Sequence, residues 1–140
     1  MIILDTDCIS LIERGNPESE VLLRYLDSAD NDEVATTIIN FEEQMRGWLA
    51  FLAKAKTIDR QVLAYERLIR FLDNYRMINV LPFEEVAAIE FRKLKAGKIR
   101  IGTMDLKIAA IALAHDARLI TRNISDFEKI PGLRLADWTR

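Results

Sequence analysis

The chain has 140 residues, half of them apolar, with 20 basic side chains against 22 acidic ones and a formal net charge of -2. That length supports one domain, residues 1–140, with enough apolar chain to bury a core and little room for a second module. No apolar run approaches the length needed to cross a bilayer, the first residues carry no basic leader, and one cysteine precludes an internal disulfide, so the expected setting is the cytoplasm with no membrane association.

In chain order, the Met-Ile-Ile-Leu run of residues 1–4 is a buried-strand signal that stops at Asp5-Thr6-Asp7, with helices expected over 6–14 and 17–28. A strand over 34–37 leads into a helix over 40–55, for which Asn40 is the expected N-cap and Glu43 the third residue of a capping box. A second long helix follows over 58–76. Its Ile58, Val62, Tyr65, Ile69 and Leu72 recur at steps of four and three, while Leu63, Leu68, Phe71 and Tyr75 widen the apolar surface. One face meets the domain, and the other is either packed within the helical pair or offered to a partner.

The pattern continues with a strand over 78–81, a helix over 84–96, and a basic stretch from Arg92 to Arg100. Thr103 is the expected cap of a helix over 104–115, which places Asp105 in a first turn where the helix dipole favours negative charge. A strand over 118–120, a polar turn from Thr121 to Asp126 and a last strand over 133–136 complete the chain. Strands alternating with helices predict an α/β sandwich around a mostly parallel sheet flanked by helices.

In such a sheet Asp5, Glu43, Asp105 and Asp126 all arrive at one edge, each just after a strand or at a helix start. Two unshielded carboxylates about 4 Å apart repel by roughly 4 kcal/mol at a surface-like effective dielectric, so such a group calls for a cation. Oxygen-only ligands select Mg²⁺ or Mn²⁺ over zinc. Singly, each acid reads as a cap or turn residue, and the case rests on their joint placement. Cys8 reads as a small buried hydrophobe and His115, the only histidine, as a helix-end residue. A nucleophilic Cys8–His115 pair has no third group to orient it.

Asp5-Thr6-Asp7, the Thr37 to Glu43 segment with Gly47 four residues on, Asp105 to Ala110, Leu119 to Asn123 with Asp126-Phe127, and the closing Leu135 to Trp138 together resemble the PIN-domain ribonucleases, most of all the VapC-type toxins. The resemblance implies a PIN-like sandwich with a protruding helical hairpin and a metal-dependent endoribonuclease using one or two Mg²⁺ or Mn²⁺ ions. Its acidic quartet falls on Asp5, Glu43, Asp105 and Asp126, which would hold the metal. The family spacing selects Glu43 over the adjacent Glu42, and Gln44 stands where the family usually has an apolar residue. Asp7 occupies a place often held by Asn and adds a fifth carboxylate to the outer shell, where Thr121 and Asn123 are the expected hydrogen-bonding neighbours. Lys93, Lys95, Lys98 and Arg100 are candidates for the RNA backbone, either as a rim on the cleft or as a solvated helix end.

The implied partners are an RNA substrate, with transfer and ribosomal RNA both open, a cognate antitoxin received by a hydrophobic groove near Trp48, Phe51 and Leu52, and a second copy forming a homodimer. Two other readings stand beside this one. A catalytically silent PIN-like domain would bind RNA or antitoxin and cut nothing. A haloacid-dehalogenase-type phosphatase would use Asp5 and Asp7, but it leaves Glu43 unexplained and lacks a lysine beside Asn123 and Asp126.

Overall fold

The computed structural model describes residues 1–29 and 32–140. Strands β1 (Ile2–Leu4), β2 (Val34–Thr37), β3 (Asn79–Leu81), β4 (Arg118–Ile120) and β5 (Arg134–Ala136) alternate with α1 (Thr6–Arg14), α2 (Pro17–Ser28), α3 (Ile38–Lys54), α4 (Ile58–Arg76), α5 (Glu85–Ala96), α6 (Thr103–Ala114) and α7 (Ile124–Phe127). The strands form one five-stranded sheet in the order β3-β2-β1-β4-β5, and every pairing is parallel. The expected mostly parallel sheet is therefore wholly parallel. Its central strand β1 is buried along its whole length, as a strand covered by helices on both faces must be.

Side-chain alternation divides the core into two layers. Ile3 and Leu119 pack on the side of α5 and α6, together with Leu106, Ile108 and Ile111. Ile2, Leu4 and Ile120 pack on the other side against Cys8, Ile9, Leu22 and Trp138. Helix α6 has buried residues at five successive positions from Ile108 to Ala112, three of them alanine, so it lies deep in the molecule and carries Asp105 at its exposed start.

Three local details differ from the sequence expectation. Helix α3 begins at Ile38, capped by Thr37 rather than Asn40: the Thr37 hydroxyl accepts the Asn40 N–H while the Asn40 side chain accepts the Thr37 N–H. Thr37 ends β2 in an extended conformation, so it can accept that amide three residues earlier than expected, and Glu43 moves into the second turn. Thr103 does not cap α6. Gly102 takes the cap position without a side-chain bond and Asp105 is the third helical residue. The polar turn after β4 closes into the short helix α7.

Helices α3 and α4, joined by residues 55–57, form the hairpin. Phe41 stacks on Phe71 and meets Tyr75 edge to face, and the Tyr75 hydroxyl donates to Gln44. That bond accounts for a polar residue at position 44. The apolar positions of α4 separate cleanly: Ala64, Phe71 and Tyr75 are buried, while Ile58, Val62, Tyr65, Ile69 and Leu72 face solvent, Ile58 at 72% exposure.

Gly47 sits mid-helix in α3, and a Cβ there would meet nothing within 4 Å. Glycine in a helix interior costs about 0.5–1 kcal/mol relative to alanine. Gly47→Ala is therefore expected to stabilise the fold by that amount, read as a rise in urea midpoint with an unchanged slope.

Candidate active site

The sheet order reverses direction between β1 and β4, the place where open α/β sheets bind ligands at the carboxyl ends of their strands. Asp5 follows β1 and Thr121 follows β4, so adjacent parallel strands deliver both residues to that crevice. Asp5 also caps α1, its Oδ1 accepting the Thr6 N–H at 2.9 Å. The same oxygen accepts from Asn40 Nδ2 at 2.9 Å, and Oδ2 accepts the Thr121 hydroxyl at 2.7 Å. Four elements thus converge on one carboxyl group.

Further hydrogen bonds hold these partners in place. Asn40 is fully buried and also donates to Thr6 Oγ1 at 3.0 Å, while Thr121 Oγ1 accepts the Asn123 N–H at 3.0 Å. Asn123 Nδ2 donates to Asp126 Oδ2 at 3.1 Å, and Lys129 Nζ stands 3.7 Å from Asp126 Oδ1. Asp7 Oδ2 accepts the Arg122 N–H at 3.1 Å, which ties the start of α1 to the segment after β4. Asn40, Arg122 and Lys129 were not expected at the site. Asn40 was assigned to a helix cap, and no linear spacing relates the other two to Asp7 and Asp126.

The carboxylates share one field. Burial, above all, pushes Asp5 up to about 6; the Thr121 and Thr6 bonds oppose that rise, while the charges on Asp7 and Asp105 add to it. Asp105 is raised as well, first by burial and then by Glu43, Asp126 and Asp7. Asp105 is therefore within electrostatic reach of Asp5, Asp7, Glu43 and Asp126. Glu42 is engaged elsewhere, paired with Arg46 at 2.6 Å, which leaves Glu43 as the acid of this pair that faces Asp105.

Among the described residues, no group of three or more His, Cys, Asp or Glu side chains forms a ready-made metal cage. The donor set nevertheless fits a hard divalent cation. It is all oxygen, its members repel one another, and Asp7 Oδ1 is buried without a partner. A cation would offset that repulsion and draw the acids together.

The basic stretch is divided. Lys93 pairs with Glu90 at 3.6 Å and Lys95 lies over the Phe91 ring, both on α5. Lys98 and Arg100 are in the loop before α6, and Lys129 Nζ donates to the Arg100 carbonyl at 3.4 Å, which sets that loop beside Asp126. Cys8 is fully buried, its thiol donating to the Ile120 carbonyl at 3.4 Å and pushed far up by burial. His115 is exposed at the end of α6 opposite Asp105, a separation of about 15 Å at 1.5 Å rise per residue. The Cys8–His115 pair does not exist.

Beside the acidic site a groove of about 610 Å³ runs between α1, α3 and α4, lined in part by Glu13, Arg14, Trp48, Phe51, Arg67 and Arg70. Trp48 and Phe51 face it as expected, but Leu52 does not line it, being a further step round the helix. No helix among the described residues is long and apolar enough to cross a membrane.

The PIN domain family profile matches residues 2–133. Ribonuclease VapC1 of Haemophilus influenzae strain R2866 is 28% identical over 141 aligned positions, covering 98% of this chain and 97% of that protein. VapC ribonuclease Y4jK of Sinorhizobium fredii is 34% identical over 134 positions, covering 91% of each. Among solved structures, VapBC2 of Rickettsia felis bound to a DNA fragment from its promoter superposes with a TM-score of 0.72 at 28% identity, over 99% of both chains. The dehalogenase-type alternative gives way to these matches, which span nearly the whole chain: the chain belongs to the PIN-domain family, as a VapC-type ribonuclease.

Proposed function

We propose that the protein is a divalent-metal-dependent endoribonuclease that hydrolyses RNA phosphodiester bonds and serves as the toxin of a toxin–antitoxin pair. The observation that carries the reading is the gathering of Asp5, Asp105, Glu43 and Asp126 at the switch point of the sheet, with mutual repulsion and few neighbouring cations. Asp5 and Asp105 are the assigned ligands of Mg²⁺ or Mn²⁺, one or two ions. When bound, such an ion supplies Lewis acidity that lowers the pKa of a water and offsets charge on the phosphate oxygens.

The remaining roles belong to the chain itself. Thr121 and Asn40 hold Asp5 in one orientation through short bonds to its two oxygens. Glu43, free of the Arg46 pair that occupies Glu42, is the carboxylate assigned to take a proton from the attacking water. Asp126 completes the set, oriented by Asn123 and Lys129. Lys98, Arg100 and Lys129 form the rim assigned to flanking phosphates, while Lys93 and Lys95 stand further along α5. Transfer RNA and ribosomal RNA are the candidate substrate classes.

The groove of Trp48 and Phe51 is the assigned seat of the antitoxin, and the exposed apolar stripe of α4 the assigned contact of a homodimer. Purified protein freed of any partner, incubated with total cellular RNA, should yield discrete cleavage products in Mg²⁺ or Mn²⁺ and none in EDTA, with the cut ends mapped by sequencing. Antitoxin binding without any metal-dependent cleavage would favour the silent-domain reading instead.

A further inference from the structure

The groove between α1, α3 and α4 carries unmatched positive charge. Arg14, Arg67 and Arg70 line it against one acid, Glu13, and none of the three arginines forms an ion pair with a described residue. Elsewhere on α3 and α4, Arg46 and Arg76 are paired, with Glu42 and Asp73. Aromatic rings stand beside the free guanidinium groups. Trp48 meets Phe51 edge to face at 6.0 Å, and the Arg67 guanidinium lies 6.0 Å from the centre of the Phe51 ring. Such a pairing suits a single nucleic-acid strand, whose phosphates take the guanidinium forks and whose bases stack on the rings.

Gly47 lines the same groove in the middle of α3. A Cβ there would meet nothing within 4 Å, so no protein neighbour requires glycine, and the helix bears its cost. Glycine at such a place leaves room for the close approach of a ligand.

The groove also lies on the path of a substrate strand. Asp5 follows the central strand β1, α3 follows β2 on one side of it, and Asp126 follows β4 on the other. Lys98, Arg100 and Lys129 serve the β4 side. On the β2 side the groove begins at Ser10, one turn past Asp7, and at Gln44, the residue after Glu43. It reaches Phe51, about 12 Å along α3 from Glu43 at 1.5 Å rise per residue. An RNA cut internally continues on both sides of the reacting phosphate, and its flanks need cations to hold them beside a cluster of carboxylates.

We infer that the groove is a second RNA subsite, in which Arg14, Arg67 and Arg70 hold phosphates of the strand flanking the cut and Trp48 stacks a base. The inference rests on the endoribonuclease reading above and gives it a contact on the β2 side. An antitoxin seated in the same groove displaces that strand.

The test measures binding of a fluorescein-labelled uridine oligoribonucleotide by anisotropy in EDTA over a range of salt concentrations, since stacking tolerates any base. Wild type is compared with the double variant Arg67→Ala/Arg70→Ala, with Gly47→Leu, and with Arg118→Gln at the amino end of β4, away from the groove. A phosphate contact on a single strand adds about 0.7 to the salt slope. The double variant should therefore lower that slope by about 1.4 and, with no difference at 1 M salt, weaken binding roughly 25-fold at 0.1 M. Gly47→Leu fills the groove without removing a charge. It should weaken binding at least about fivefold while the melting temperature holds or rises, and it decides if the double variant does not fold. Arg118→Gln should stay within about twofold of wild type. Groove variants that fold and bind like wild type would overturn the inference and leave the groove to a protein partner alone. An equal loss in Arg118→Gln, or a wild type that does not bind the RNA, would overturn it too. Cleavage of total RNA in Mn²⁺ by the same preparations, with Asp5→Asn as control, tests the endoribonuclease reading separately: cleavage by wild type alongside unchanged binding in the groove variants removes the subsite and keeps the nuclease.

Discussion

Asp5→Asn is expected to lower RNA cleavage by at least about a hundredfold while making the metal-free protein harder to unfold. The two effects have one origin. Asp5 is 7% exposed, and its carboxyl is pushed from 3.8 to about 6, so keeping it ionised at neutral pH costs the fold roughly 3 kcal/mol. The amide carries no charge, which removes that cost. It also disrupts the bond from Thr121, whose hydroxyl already accepts the Asn123 N–H, at a loss of about 1 kcal/mol. A net gain of about 1–2 kcal/mol in EDTA should remain. Cleavage assays and denaturant melts on one preparation check both halves. A variant that is less stable and still active would show Asp5 to be a structural cap of α1 and no more.

In EDTA the wild-type protein is expected to lose about 3 kcal/mol of stability between pH 4 and about 6.5, and Mn²⁺ is expected to restore much of it at neutral pH. The sign follows from the direction of the shift. Because the folded-state pKa of Asp5 lies above its ordinary value, the native state holds the proton more tightly than the unfolded chain between 3.8 and about 6. Stability falls as pH rises through that window and levels off above it. Asp105, also raised, acts in the same sense. Asp137 is lowered, chiefly through its Thr139 bonds working against burial, so its contribution is lost only as pH falls through the lower carboxylate range. Subtracting the Asp5→Asn profile isolates the Asp5 part. A cation that binds only the folded state stabilises it by about 2.7 kcal/mol at a hundred times its Kd. Melting curves at several pH values, with EDTA or Mn²⁺, give the answer, and a flat difference profile would remove Asp5 from the list of strained acids.

Much of this was legible in the residue order. Short runs such as Ile2-Ile3-Leu4 and Arg118-Leu119-Ile120 announce buried strands, and the acids that follow them announce the edge they reach. The ambiguities lay where two residues competed for one local job. Thr37 and Asn40 can each cap a helix, and only the extended backbone at the end of β2 decides for Thr37. Glu42 and Glu43 are adjacent and alike in sequence, yet Arg46 one turn on claims the first, while the second faces Asp105 from another element.

Periodicity and the order of strands and helices determined a parallel α/β sandwich, and the placement of four carboxylates set the expectation of a cation site. Those signals are local: a strand is recognised within four residues, a cap within three. What the tertiary structure decided was long-range. Asn40 and Thr121 reach Asp5 from 35 and 116 residues away, Arg122 closes on Asp7 across 115, and the exposed stripe of α4 is separated from its buried face only by how the helices pack. Contacts between distant segments depend on how strands are ordered in the sheet, and no spacing along the chain encodes that order directly.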